Sequence, residues 1–318
     1  MLINNYKYFI ALAEEKNISR AAEKLFISHQ CLSKYLKTLE QHYHTTFFER
    51  TPQISITPAG EIMLDACRQI QMLEANLDSQ LEDIRQSKRG MIRFGTTEGR
   101  YRILIPALLS RFKNVYPDVT LEVSCATSEK LIDSVLNNEL DLVLINETPV
   151  DLSRLTKRRL LNEKLYLVIS DNMLAKYFPD NYPKCKQVFR TKGADLTLFQ
   201  HVPFILNKRG FNSRTAVDSF IEKNGIILNC VMELTQLDMH FMISAQDYAA
   251  SFCWSMYIPK IESMNRTSRD NKLNIFPIRK LDTCNHIILL MKKGKILPEY
   301  GRVLIKMIES GCSAFTLS

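Results

Sequence analysis

The sequence contains no run of about 18 uncharged apolar residues, so it predicts no membrane-spanning helix. It also lacks a Gly-x-Ser-x-Gly elbow, a phosphate-cradling P-loop and a His-x-x-His spacing. Those absences remove the common signatures of hydrolase, nucleotide and zinc chemistry, and no enzyme is expected. The eight cysteines, at 31, 67, 125, 185, 230, 253, 284 and 312, include no Cys-x-x-Cys pair and no zinc spacing. Reduced, semi-buried thiols are expected of them. The six histidines, at 29, 42, 44, 201, 240 and 286, form no ligand cluster. No metal, no resident cofactor and no catalytic residue follow from these patterns. The opening MLINNYKYFIALAEEK lacks a basic region and a cleavage site, so no signal peptide is expected and the cytoplasm is the expected location.

What is present points elsewhere. The chain has 318 residues, 46% of them hydrophobic, enough for two or more packed domains. Its net charge of +8 fits a nucleic-acid partner only weakly, because much of the excess lies between Arg154 and Arg214. Residues 17–60 are more specific. Asn17 is a good N-cap, and Ile18, Ala21, Ala22 and Leu25 follow at helical spacing. Ser28 is a second N-cap only three residues after Leu25, so the two helices meet in a sharp turn. The second helix carries Leu32, Leu36 and Leu39 on one face. Its other face shows His29, Gln30, Ser33, Lys34 and Lys37, side chains able to donate to base edges and phosphates. Phe47-Phe48 and Ile54 to Ile56 flank Thr51-Pro52-Gln53, which reads as a strand–turn–strand wing. Cap, turn, polar helix and wing together describe a winged helix-turn-helix that places one helix in a major groove. A small helical cap with a solvated polar face would explain the helix pair alone, but not the four features together.

At these residues the chain resembles the LysR-type transcriptional regulators. The family pattern is carried by Phe9, Asn17, Ala21, Ala22, Leu25, Ser28, Leu32, Ser33, Leu36, Leu39 and Glu40, then Phe48, Arg50, Thr57, Ala59 and Gly60. The resemblance covers nearly the whole length. It implies DNA contacts from Ser28, His29, Gln30, Ser33, Lys34, Lys37 and Arg50. It also implies self-association as a dimer or tetramer, RNA polymerase as a partner, and a small-molecule effector. Two departures stand out. His29-Gln30 replaces a usual glutamine–proline pair, so the operator cannot be carried over from relatives. Tyr43-His44 replaces a usual leucine–glycine, removing the residue that makes a left-handed helix cap easy.

Residues 58–88 predict one long helix, with Pro58 in its first turn. Met63, Ala66, Ile70, Leu73, Leu77 and Ile84 mark a seam, with Leu81 beside it. No partner helix is near in sequence, so the expectation is a linker that pairs with its copy. A dimer would set two recognition helices about 34–36 Å apart, or a multiple of it.

After Gly90, strands and helices alternate: 91–95, 101–115, 119–124, 128–136 and 141–145 give β-α-β-α-β, hence a mostly parallel sheet. The expected fold is therefore mixed α/β: a winged helix-turn-helix over 1–60, a linker helix over 61–90, and a two-lobed, periplasmic-binding-protein-like effector domain over 91–318. Lobe I would take 91–165 and 278–318, and lobe II 166–277. Residues 177–195 look like an insertion, and Gln246 to Ala250 replaces a usual Gly-x-Gly. Ligands of open α/β sheets sit beyond strand carboxyl ends, at helix N-termini. That rule selects Thr96, Thr97 and Gly99, then Ser128, Asn146, Asn207 and Lys208. Hydroxyls, backbone N–H groups and a cation there suit an anionic effector, although Glu98 opposes a highly charged one unless Arg100 or Arg102 offsets it. Ordinary caps and turn residues would explain each position singly. A solute-binding protein would explain the clamshell, but not the first 88 residues.

Overall fold

Three short helices build the N-terminal unit: α1 (Tyr6–Glu15), α2 (Ile18–Lys24) and α3 (His29–Tyr43). In this computed structural model, residues 5–49, 51, 53–85, 89–268, 271–313 and 315 are described. Arg50, Pro52, Lys88 and the Ile84 side chain, which carried expectations above, lie outside that description. Both predicted caps form: Asn17 accepts from the Arg20 N–H at 3.1 Å and Ser28 from the Cys31 N–H at 3.2 Å. Leu32, Leu36 and Leu39 turn inward onto Phe9, Ala21, Ala22, Phe47 and Phe48. Strands β1 (Phe48–Glu49) and β2 (Ser55–Ile56) pair antiparallel, with Phe48 opposite Ile56. The missing glycine is replaced in kind. His44 itself adopts the left-handed conformation, φ 49°, and its N–H reaches the carbonyls of Glu40 and Gln41. A non-glycine residue there costs roughly 1–2 kcal/mol.

Helix α4 (Pro58–Ile84) starts on Thr57, whose hydroxyl accepts from the Gly60 N–H at 3.0 Å. At 1.5 Å per residue it is about 40 Å long. Its seam divides. Met63 and Leu64 are buried in the N-terminal core, where α1 packs beside α4. Leu73 and Leu77 are 63% and 56% exposed. The expectation that α4 lacks a partner in its own chain is thus corrected for its first half.

The next strands and helices are β3 (Gly90–Thr96), α5 (Glu98–Val115), β4 (Val119–Cys125), α6 (Ser128–Leu136) and β5 (Leu142–Asn146). Strand β3 lies between β4 and β5 and is parallel to both. Strand β6 (Leu155–Ser170) has 16 residues, roughly 50 Å at the rise of a strand. It is long enough to serve two lobes. The second lobe follows as α7 (Asp171–Tyr177), α8 (Lys184–Lys192), β7 (Pro203–Asn207), α9 (Asn212–Asn224), β8 (Asn229–Leu234), α10 (Leu237–Ala245), β9 (Ser251–Trp254), α11 (Ile258–Thr267) and β10 (Leu273–Pro277). The chain returns through β11 (Cys284–Lys292) and ends in α12 (Glu299–Ser313). The first part of β6 pairs with β11, and its last residues pair with β9 and β10. One apolar core surrounds Phe94, Phe112, Leu142 and Leu304; a separate one surrounds Phe189, Phe199, Phe204 and Phe276.

Two sequence oddities resolve locally. The inserted segment contributes α8, whose Phe189 ring lies 5.3 to 5.5 Å from those of Phe178, Phe199 and Phe276. Where a glycine pair was expected, Asp247 takes φ 62° and is held by Ser170, Asn172 and Asn271. Helix α4 is pinned to the first lobe by polar contacts. Asn76 donates to the Gly294 carbonyl and accepts from the Ile296 N–H, both at 2.8 Å. Asn138, at φ 62°, donates to the Arg68 carbonyl at 3.0 Å and accepts from Lys292 at 3.0 Å.

Candidate functional site

Two surfaces concentrate polar groups. The first is the outer face of α3. Because Leu32, Leu36 and Leu39 hold one side against the core, His29, Gln30, Lys34 and Lys37 are exposed on the other, and Ser33 is half-buried. Ser28 is also exposed, but its hydroxyl is engaged in capping Cys31. Arg50, expected among the contacts, lies outside the described residues. Phe26, in the turn before the helix, is 96% exposed at φ 56°. Nothing in the helical spacing marks it, because it belongs to the turn.

The second surface is a cleft of about 150 Å³ between the lobes. Thr97, Glu98, Gly99, Arg100, Arg102 and Asn146 line it from the first lobe, and Asn207, Ser213, Gln236 and Asp238 from the second. Its floor lies where β6 and β11 run side by side. Glu163, 1% exposed, faces Asn285 across that pairing. The Glu163 carboxylate accepts from Arg100 at 3.1 Å, from Asn285 at 2.9 Å and from the Met256 N–H at 3.3 Å. Arg100 also donates to the Thr97 hydroxyl at 2.8 Å and to the Asn146 side-chain oxygen. Removing one partner of such a buried pair costs roughly 3–5 kcal/mol, so the network is held as a unit. At the mouth, Arg102 bridges the lobes, 3.0 Å from Glu98 on its own helix and 3.0 Å from Asp238 on α10. Burial pushes the Tyr257 phenol up, so it stays a neutral donor in this wall. A methyl group added at Gly99 would overlap the Tyr257 hydroxyl, which explains the glycine there.

Of the residues expected at the cleft, Thr97, Gly99, Asn146 and Asn207 line it together. Three do not. Thr96 is fully buried and its hydroxyl donates to the Leu144 carbonyl, inside the sheet. Ser128 is the first residue of α6 and does not line the cavity. Lys208 is exposed beyond β7 and contributes no lining atom. Sequence reasoning also passed over Glu163 and Asn285, which sit on apolar strands 122 residues apart. Arg100 enters the site because α5 begins at Glu98, about a turn earlier than the expected start at residue 101. Among the eight cysteines, Cys67, Cys185, Cys253 and Cys312 are buried, and Cys31, Cys125, Cys230 and Cys284 are exposed rather than semi-buried.

Comparison with known proteins matches both parts of the chain. Residues 3–61 match the model of the bacterial regulatory helix-turn-helix protein, lysR family, and residues 85–312 match the LysR substrate binding domain. The HTH-type transcriptional activator CmpR of Synechocystis is 24% identical over 297 residues, covering 93% of this chain and 90% of its own. Among solved structures, a full-length OxyR variant from Pseudomonas aeruginosa superposes with a TM-score of 0.64 at 17% identity, covering 96% of each chain. CbnR in complex with its target DNA superposes with a TM-score of 0.52 at 17% identity, covering 96% of this chain and 98% of that one. At such identities the structural likeness speaks for the fold alone.

Proposed function

The chain belongs to the LysR family of transcriptional regulators, and from that premise we propose which of its residues read DNA and which sense the effector. It is a DNA-binding transcriptional regulator with an effector-binding domain. The observation that carries the DNA assignment is the polar face of α3, with His29 and Gln30 in its first turn and Lys34 and Lys37 one and two turns on. His29 and Gln30 reach base edges at the groove, Ser33 lies behind them, and Lys34 and Lys37 contact phosphates. Ser28 positions the helix through its cap and offers its own backbone end to a phosphate.

The domain assignment proposed is 1–60 for DNA, 61–90 for the linker, and 91–318 for the effector. The exposed leucines of α4 support pairing of two copies through that helix, giving a homodimer or homotetramer. RNA polymerase is the partner such a regulator would address from its operator, and the cytoplasm is where it would meet both. The effector is a small molecule held in the interlobe cleft by Thr97, Gly99, Asn146 and Asn207. An open cavity lined by polar side chains from both lobes favours this over a ligand-independent regulator.

Quantitative binding to the chain's own promoter region and to mutated sites tests the DNA assignment. Gln30→Ala should flatten preference at one base pair by about 1–3 kcal/mol. Lys37→Ala should weaken all sequences alike and lower the salt slope by about one phosphate contact. Equal affinity of the wild-type protein for native and random duplexes would refute the assignment.

A further inference from the structure

The charged side chains of the cleft answer one another. Its lining sets Glu98, Glu163 and Asp238 against Arg100 and Arg102. Arg100 and Glu163, both buried, pair at 3.1 Å. Arg102 lies 3.0 Å from Glu98 and 3.0 Å from Asp238. Among the described lining residues no cation is left for an anionic effector, and Lys208, which the strand-end rule supplied, is absent from the lining. Helix starts do not make up the difference. A helix N-terminus carries about half a positive charge. Yet α5 and α10 each hold a carboxylate in the first turn, Glu98 and Asp238. The start of α9 holds none and adds only the partial charge of its backbone N–H groups. A cationic ligand fares no better, because Arg102 already stands between the two carboxylates of the mouth.

The binding capacity that remains is uncharged. On lobe II, Asn212, Thr235 and Gln236 are exposed members of the lining, and their side chains make no hydrogen bond to the described residues. On lobe I, the Asn146 side-chain oxygen accepts from Arg100 and Asn285, whereas its amide nitrogen has no partner among the described residues. Carboxamides carry a donor and an acceptor side by side, which suits them to the donor–acceptor edge of another amide or of a base. The apolar part of the lining includes three rings, Phe211, Trp254 and Tyr257. Ring faces of that kind favour a planar partner. The cleft volume is about 150 Å³, and a cavity of roughly that size holds one benzene ring.

We propose, on the premise that the interlobe cleft is the effector site, that its effector is an uncharged planar molecule: one ring bearing an amide-type donor–acceptor edge, of the class of aromatic amides and pyrimidine bases. Its edge is read by the carboxamides of Asn146, Asn212 and Gln236, and its ring packs on Phe211 and Trp254. Those side chains belong to both lobes, so one molecule ties the lobes together. The paired arginines set the selectivity. A carboxylate on the same ring meets no free cation and is repelled by Glu98 and Asp238 at the mouth.

The test is calorimetric titration of the full-length protein, at constant ionic strength, with three matched pairs: benzamide and benzoate, nicotinamide and nicotinate, uracil and orotate. Each pair keeps the ring and changes the charge. At least one uncharged member should bind saturably, with its anion weaker by about tenfold or more. The single tryptophan of the chain, Trp254, lines the cleft, so its emission should change over the same concentration range. Glu98→Gln together with Asp238→Asn, at partly exposed side chains, frees Arg102. That double variant should strengthen the anion by about tenfold and narrow the gap within the pair. Gln236→Ala, at an exposed position, should weaken the uncharged member several-fold. An anion that binds as tightly as its uncharged partner in the wild type would overturn the proposal and leave the cleft standing as an effector site. Binding by none of the six compounds would overturn it too. An uncharged member that binds without changing Trp254 emission would lie outside the cleft, removing the premise and the proposal with it. None of these outcomes bears on promoter binding, which is decided separately.

Discussion

His240 shows how far one residue's setting can depart from its place in the sequence. It lies on α10, two residues after Asp238, is 1% exposed, and its Nε2 has no partner. Burial lowers its pKa to about 4 from an ordinary 6.5, against a smaller opposing effect of the Leu234 backbone. The folded state therefore holds the neutral ring and the unfolded state takes up the proton first. This contribution to stability is intact above pH 6.5, falls as the pH drops toward 4, and amounts to roughly 3 kcal/mol in all. Urea unfolding at pH 7.5 and pH 5 should show about 2 kcal/mol of that loss, and His240→Gln should reduce it. An equal pH dependence in wild type and variant would disprove the assignment to this ring.

At the scale of elements, α4 has two duties on different faces. Its N-terminal half is a core helix of the DNA-binding unit, and its C-terminal half is docked on lobe I through Asn76 and Asp83. Leu73, Leu77 and Leu81 remain exposed on the rest. Leu73→Asp together with Leu77→Asp should cost this chain alone little, since both side chains are largely in water. In a dimer the same changes would bury unpaired carboxylates, at several kcal/mol. Sedimentation at low micromolar concentration should show the double variant dissociating and losing operator affinity while its unfolding midpoint holds. An unchanged sedimentation profile would place the dimer contact elsewhere.

For the whole molecule, signalling requires that the effector prefer one arrangement of the lobes, with couplings of about 1–3 kcal/mol. The geometry offers a route. A ligand lodged between Thr97 on one lobe and Asn207 on the other would bias the lobes about β6 and β11, and Asn138 and Asn76 connect lobe I to the linker. Thr97→Val keeps the side-chain shape and removes the acceptor of an Arg100 hydrogen bond. It should weaken the effector response, read as a shifted ligand dependence of operator binding, while affinity for DNA without effector is unchanged. An identical dose response in the variant would exclude Thr97 from the site.

Much of the architecture was legible because it is written in local terms. Caps at Asn17 and Ser28, Pro58 in the first turn of α4 and the leucine spacing of α3 depend on residues within two turns of one another, so the sequence alone determines those helices and which face of α3 is wet. The family pattern and the alternation of strands and helices likewise suffice for a winged helix-turn-helix followed by a two-lobed α/β domain. The site was legible only in part. Strand ends pointed to Thr97, Asn146 and Asn207, but that rule locates an opening without saying which way a side chain turns, and Thr96, Ser128 and Lys208 fall outside the cavity lining. The charge of the cleft was decided entirely by tertiary structure. Arg100 meets Glu163 across 63 residues, and Glu163 meets Asn285 across 122. No periodicity spans such distances; only the pairing of β6 with β11 brings those groups into contact, and with it the cleft exchanges a free cation for a neutralised one.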